Sequence, residues 1–246
     1  MCTDVCIFLY SHSIYSLHTS CSCSAAHHFA NLLHTKTNKL TRVYTQNIDG
    51  LTQAVNLPDD KIIPVHGTIS KAACENCGKE MNFDTFCNQV ETKIKDIYNL
   101  QSNNAPKESE EIRCESCGKA TVKPQTVLFG SSLPEEFFER IEEDLPSTDL
   151  LIVEGTSLVV SPANSLVYRV TDGTYRVVIN NEEVGKELGI DYSNAYNKRD
   201  YFAQGNCDEV FLDLIIELGW LQDLNEVVDN LPPSSIELIK AKQEGG

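Results

Sequence analysis

Cys74-Glu-Asn-Cys77-Gly and Cys114-Glu-Ser-Cys117-Gly carry the plainest chemistry in this chain. Two thiolates two residues apart can grip one metal from a tight turn, and the glycine after each pair permits that turn's backbone. Four thiolates close a tetrahedral shell, the structural zinc pattern, with no position left open for a catalytic water. Residues 78–113 separate the pairs, a longer spacer than zinc ribbons usually carry, but extra loop length adds little entropic cost. Cys87 reads as a buried thiol outside this set. In a reducing compartment, paired cysteines among a total of ten point to metal rather than to disulfides.

A second group of polar residues falls at the ends of apolar runs. Thr45-Gln46-Asn47-Ile48-Asp49 follows the short run Leu40–Tyr44, and His66 follows Ile62–Val65 with Gly67 beside it. A histidine near neutral pKa can relay a proton at cellular pH. Leu150-Leu-Ile-Val-Glu154 runs into Gly155-Thr156-Ser157, and Arg176-Val-Val-Ile ends on Asn180. At the C-terminal ends of parallel strands, such side chains suit a nucleotide's phosphates and ribose hydroxyls. Taken alone these strand ends are also ordinary α/β turns, and no Gly-x-Gly fingerprint occurs outside the C-terminal segment.

Several elements must position these residues. Ala25–Leu33 suits a helix, and Phe83–Leu100 includes one; Gln101–Glu108 reads as a mobile loop. After Pro124 strands and helices alternate: a strand at Thr126–Phe129, helices at Pro134–Glu143 and Pro162–Val170, strands at Leu150–Val153 and Arg176–Asn180, then a helix at Asp208–Leu218. That alternation argues an α/β fold with a parallel sheet and crossovers. The chain divides into a divergent segment 1–22, a discontinuous Rossmann-like domain over 23–70 and 122–222, a zinc module over 71–121, and an acidic segment 223–246, either a docked helix or a tail.

Composition bounds the function. The chain has 246 residues, 41% hydrophobic and 23% charged, enough for a substantial core. A net charge of −16 argues against a general nucleic-acid backbone binder and suits a basic partner. No apolar run approaches the ~18 residues of a membrane span. Val5–Tyr10 is apolar but short, and no Lys or Arg precedes Lys36, so no secretory signal is read and an intracellular protein is expected.

Together these motifs resemble the sirtuin family of NAD-dependent protein deacylases. The matching pieces, in order, are Thr45-Gln-Asn-Ile-Asp-Gly-Leu51, Val65-His-Gly-Thr68, the two cysteine pairs and Lys123-Pro-Gln-Thr-Val-Leu-Phe-Gly-Ser-Ser-Leu-Pro134. Gly155-Thr-Ser-Leu-Val-Val-Ser-Pro162, Val178-Ile-Asn180 and Gly205-Asn-Cys-Asp208 complete the match. The resemblance implies NAD and an acylated lysine held between a Rossmann-like domain and a zinc module, with nicotinamide, free lysine and O-acyl-ADP-ribose as products. It implies His66 as general base, with Gln46, Asn47 and Asp49 at the nicotinamide end. Gly155, Thr156, Ser157, Asn180 and Cys207 would bind the rest of NAD, and Val127, Phe129 and Gly130 would hold the peptide. Cys74, Cys77, Cys114 and Cys117 would hold one structural Zn2+. The partner would be an acylated-lysine protein, such as a histone. The compartment would be nucleus or cytoplasm rather than mitochondrion, since no Arg-rich presequence is present. Two rival readings are ADP-ribosyl transfer to protein on the same fold and a non-enzymatic zinc-containing binding module.

One departure stands out. The family begins with a strand and a Gly-Ala-Gly-x-Ser loop, followed by a Pro-Asp-Phe-Arg stretch. Residues 1–22 contain no glycine, and both the first strand and the loop are expected to be missing. The chain would then be an incomplete version of a working enzyme or a short form that binds NAD poorly.

Overall fold

A computed structural model describes residues 5–9, 22–97, 105–128, 130–193, 196 and 198–244. The expected loop at 101–108 therefore lies partly outside the described residues. In chain order the elements are β1 (Val5–Leu9), α1 (Ala25–Thr37), β2 (Leu40–Thr45), α2 (Leu51–Ala54), β3 (Ile62–Pro64), β4 (Gly67–Cys74), β5 (Glu80–Met81) and α3 (Phe83–Lys93). There follow β6 (Val122–Thr126), α4 (Glu135–Asp144), β7 (Leu150–Glu154), α5 (Leu166–Arg169), β8 (Tyr175–Asn180), β9 (Asp200–Gln204), α6 (Cys207–Glu217), α7 (Leu221–Asn225) and α8 (Pro233–Glu244). Two compact units result. One comprises residues 1–66 and 132–246, the other residues 67–131.

The larger unit is built on a sheet ordered β3-β2-β1-β7-β8-β9, with every adjacent pair parallel. Parallel strands buried on both faces read as continuous apolar runs, which is what Leu150–Val153 supplies. Alternate residues feed two cores. Leu151 and Val153 pack with Phe137 and Ile141 of α4 and Leu166 of α5. Ile152 packs with Phe29 of α1 and with Phe211 and Ile215 of α6. Helices thus cover both faces, as a doubly wound fold requires.

The expectation of a missing first strand is corrected here. Val5–Leu9 is β1, central in the sheet, with Val5 opposite Leu40 of β2 and Leu150 of β7. Five uncharged, mostly apolar residues suffice for a central parallel strand, whether or not a glycine loop follows them. The strand order runs outward from β1 in one direction and from β7 in the other. The β1–β7 boundary is the topological switch point, where ligands of such sheets bind beyond the strands' carboxyl ends. Of the two readings of the C-terminal segment, the docked helix is the one adopted. Leu224 of α7, Leu231 just before α8 and Ile239 of α8 are buried in the same core as α1 and α6.

Two buried Arg–Asp pairs pin the sheet. Arg42 of β2 forks onto Asp144 at the end of α4 at 2.8 and 2.9 Å, and the Tyr44 hydroxyl donates to the same carboxylate at 2.6 Å. Arg176 of β8 forks onto Asp200 of β9 at 2.5 and 2.6 Å and also donates to the Val167 and Gly189 carbonyls. Each charge is paired and its remaining donors are used, the condition under which burial is tolerated.

The smaller unit holds a sheet ordered β5-β4-β6, antiparallel throughout, with α3 beside it. Among the described residues its buried apolar side chains outside the cysteines are few: Ala72, Phe86 and Ile112, flanked by Met81, Phe83 and Val122. A core that small needs a staple.

Candidate metal centre and nucleotide site

The staple lies between two matching turns. In the first, Cys74 N–H donates to the Lys79 carbonyl at 2.9 Å and Gly78 N–H to the Cys74 carbonyl at 2.8 Å. In the second, Cys114 N–H donates to the Lys119 carbonyl and Gly118 N–H to the Cys114 carbonyl at the same two distances. Gly78 and Gly118 both sit at φ 71°, the left-handed region that favours glycine. The sequence repeats Cys-x-x-Cys-Gly-Lys, and the backbone repeats with it.

These turns bring the Cys74, Cys77, Cys114 and Cys117 sulfurs within 4.8 Å of one another. Cys74 and Cys117 sulfurs are 3.5 Å apart, and Cys77 and Cys114 sulfurs 3.6 Å. A disulfide needs about 2.05 Å. A tetrahedron of ~2.3 Å zinc–sulfur bonds has edges of about 3.8 Å, which these separations approach. The Thr121 hydroxyl, 3.2 Å from the Cys74 sulfur, draws that thiol down to about 6, while, against the pull of the Lys79 amide, burial and the neighbouring sulfurs push Cys77 up to about 11, so the sulfurs do not ionise independently of one another. The donor set therefore fits one structural zinc, as the cysteine spacing led us to expect. Thr121 was not anticipated, because a lone threonine four residues past the second pair carries no sequence signal. Val127 is half-buried and Gly130 exposed, just beyond β6, while Phe129 lies outside the described residues.

In the larger unit, the strand ends are joined by hydrogen bonds. Gln46, buried at the end of β2, accepts from the Thr156 hydroxyl at 3.4 Å. Asn180, at the end of β8, donates its side-chain amide to the Thr156 carbonyl at 3.1 Å. The ends of β2, β7 and β8 are thus linked through Thr156. Gly155, at φ 57°, donates its N–H to the Ile179 carbonyl at 3.0 Å. Ser157 is exposed.

His66 Nδ1 lies 3.2 Å from the Gln46 carbonyl oxygen. A carbonyl only accepts, so the contact assigns the proton to Nδ1 and leaves Nε2 with a lone pair. Burial lowers the His66 pKa, and the Gln46 carbonyl opposes that in part, so the ring is neutral at pH 7. Asn47 is half-buried and donates its backbone N–H to the Thr45 hydroxyl. Asp49 accepts the Leu51 N–H at 3.0 Å and so starts α2. Cys207 is half-buried at the start of α6, its thiol 3.8 Å from the Ile179 carbonyl; burial, Glu154 and Asp208 push it up to about 12. A thiol kept protonated in this way is a poor nucleophile.

The structure also marks two residues whose side chains were not singled out in the sequence. Asp208 accepts the Ala26 N–H at 3.2 Å, capping the first turn of α1 from α6. Glu154 closes β7 and is 4% exposed. A carboxylate ending an otherwise apolar strand was the signal available for it.

The parallel six-stranded sheet with polar, interlinked strand ends at its switch point, and the four-thiolate turn pair beside an antiparallel sheet, define a Rossmann-like α/β protein with a zinc-binding module. Residues 7–162 match the model of the Sir2 family, and the chain belongs to that family. It is 36% identical over 215 residues to the NAD-dependent protein deacetylase sirtuin-2 of Danio rerio, covering 82% of this chain and 52% of that one. It is 36% identical to the NAD-dependent deacetylase sir2A of Dictyostelium discoideum, over 84% of this chain and 38% of that one. It is 30% identical to the NAD-dependent histone deacetylase sir2 of Schizosaccharomyces pombe, over 84% and 45%. The chain spans about half the length of the curated relatives it matches. A solved chain from "The Structural basis for Sirtuin Substrate affinity" shares the fold, with a TM-score of 0.61 over 80% of this chain and 72% of that one, at 24% identity. Among the described residues no helix is long and apolar enough to cross a membrane.

Proposed function

We propose that the chain is an NAD-dependent protein-lysine deacylase. Its relatives are named as deacetylases, and its own residues supply the groups that reaction needs. The observation that carries the reading is the chain of contacts His66–Gln46–Thr156–Asn180, which ties a neutral histidine to three strands at their carboxyl ends. A scaffold has no use for a histidine held in one tautomer beside a buried glutamine.

NAD, when bound, would supply an electrophilic ribose carbon and accept the acyl group, so that with one water consumed the products are nicotinamide, free lysine and O-acyl-ADP-ribose. His66 Nε2 takes up the proton released from the ribose hydroxyl, its ring oriented by the Gln46 carbonyl. Asn47 and Asp49 line the nicotinamide end, and Gln46 faces the adjoining ribose. Thr156, Ser157 and the Gly155 backbone hold phosphate, Asn180 the adenine ribose, and Cys207 lies against adenine. Val127, Phe129 and Gly130 hold the peptide as an added strand. The four cysteines keep one zinc that shapes the smaller unit and takes no part in the reaction. The substrate is an acylated lysine in a basic protein segment, with histone tails the leading class, given the net charge of −16. The nucleus or cytoplasm is the matching compartment.

The test is nicotinamide release from NAD with and without an acetyl-lysine peptide, beside His66→Ala. Peptide-dependent release that the variant loses, with its fold intact by circular dichroism, is expected. Release unchanged in the variant removes His66 from the reaction. Label from NAD that stays on protein would favour ADP-ribosyl transfer instead.

A further inference from the structure

The two cysteine turns repeat each other through Cys-x-x-Cys-Gly-Lys and then diverge. Four residues past the second cysteine of each pair stand Met81 after the first turn and Thr121 after the second. Each falls beside the first cysteine of the opposite turn. The Thr121 hydroxyl lies 3.2 Å from the Cys74 sulfur, and Met81 borders the same cavity as Cys114. The repeat therefore places a hydroxyl and a thioether at equivalent points of one metal site. A thioether has no proton to give, and the Met81 sulfur faces the Gln89 side-chain amide of α3 at 3.9 Å.

The contacts that join the turns differ in the same sense. On the Thr121 side the turns are laced together. The Glu75 N–H donates to the Thr121 carbonyl at 2.8 Å, and Lys119 Nζ donates to the Asn76 side-chain oxygen at 2.6 Å. Thr121 thus holds the first turn twice, by its carbonyl and by its hydroxyl. On the Met81 side there is a cavity of about 160 Å3. Among the described residues its walls include Lys79, Glu80 and Met81 from the end of the first turn and Cys114 and Glu115 from the second. The sulfurs divide likewise. Cys74 is 1% exposed, whereas Cys77, the exposed member of the four, is 3.6 Å from Cys114. A metal-bound sulfur carries no proton, so in the loaded site the Thr121 hydroxyl is the donor. Such donors orient a ligand and strengthen its hold on the metal.

We propose that Thr121 is a positioning residue that latches one side of the zinc centre, so that the metal is held unequally: Cys77 and Cys114 are the ligands a competing thiol or chelator displaces first, and Cys74 is the last to let go. The inference rests on the four-sulfur zinc reading and not on the deacylase one. The exchange needs no oxidant. An incoming thiol gives its proton to the cysteine sulfur it displaces and takes that sulfur's place on the metal. The exposure of Cys77 and the cavity beside Cys114 give it an approach, while Cys74 is enclosed.

The experiment is zinc transfer from the full, loaded chain to a chromogenic chelator, followed for wild type, Thr121→Val and Thr121→Ser. Removing a hydrogen-bond partner of a metal ligand weakens metal binding about 10–100-fold. Thr121→Val keeps the shape and loses the hydroxyl, and it should release zinc at least about tenfold faster. Thr121→Ser keeps the hydroxyl and should release zinc close to the wild-type rate. Cysteines freed during the transfer are trapped with N-ethylmaleimide and located by mass spectrometry; in wild type Cys77 and Cys114 should be modified before Cys74. Equal release by wild type and Thr121→Val, or modification of Cys74 first, overturns the latch. Release by Thr121→Ser as fast as by Thr121→Val assigns the effect to packing and overturns it too. A wild-type chain that binds no stoichiometric zinc removes the metal reading, and the latch with it. The order of modification is read on wild type alone, so it decides the matter even where a variant fails to fold.

Discussion

His66 shows how one hydrogen bond decides a residue's chemistry. The Gln46 carbonyl holds the proton on Nδ1, and burial keeps the ring neutral. A general base works only in that neutral form, so turnover should fall on acidification through a pKa below the ordinary histidine value. The pH–rate profile for peptide-dependent nicotinamide release checks this; an acid limb at or above the ordinary value would mean another group is titrating. The contrast with Thr121 is instructive. His66 was legible in the sequence because it follows an apolar run and abuts glycine. Thr121 looked like an ordinary residue after a cysteine pair, and its tie to Cys74 emerged only when the two turns came together.

At the level of elements, the outer strands are held by ionic forks as well as by their ladders. Asp200 of β9 neutralises Arg176 of β8, whose other donors already serve two carbonyls. Asp200→Ala would leave a guanidinium buried without its counter-charge, a loss of about 3–5 kcal/mol in stability. Urea unfolding should show it, while Tyr201→Ala on the same strand, where the side chain is half exposed, should cost much less. β7, β8 and α6 were legible because apolar runs and amphipathic spacing announce them. β9, Asp200-Tyr-Phe-Ala-Gln204, was not anticipated: only its middle is apolar, and its place at the sheet's edge demands no more. β1 was obscured by a different cause. The family's glycine loop does not follow its apolar run, whereas pairing with β2 and β7 depends on the run itself.

Over the whole molecule the two units differ in what stabilises them. The larger has two extensive apolar cores, and the smaller has, among the described residues, three buried apolar residues besides its cysteines. Metal binding in such a module is folding free energy. Cys114→Ser should abolish stoichiometric zinc and melt residues 67–131 while the parallel sheet persists. Hydrogen exchange read by segment would report this; retained zinc with unchanged protection across 67–131 would refute the four-sulfur site. The cysteine repeat made this module plain from sequence, yet its boundary with the larger unit, at His66 and Ser132, follows from contacts that no local pattern encodes.

The central position of β1 also governs the order in which the chain can fold as it is made. Val5–Leu9 leaves the ribosome well ahead of one of its two neighbours, Leu150–Glu154. Until that segment has been synthesised, one edge of an apolar strand stays open to any other strand it meets. The cysteine module, whose last ligand is Cys117, is complete well before then. Synthesis thus delivers a finished metal-clasped domain while the main sheet is still half built, and the nascent chain is most exposed to misassociation during that interval.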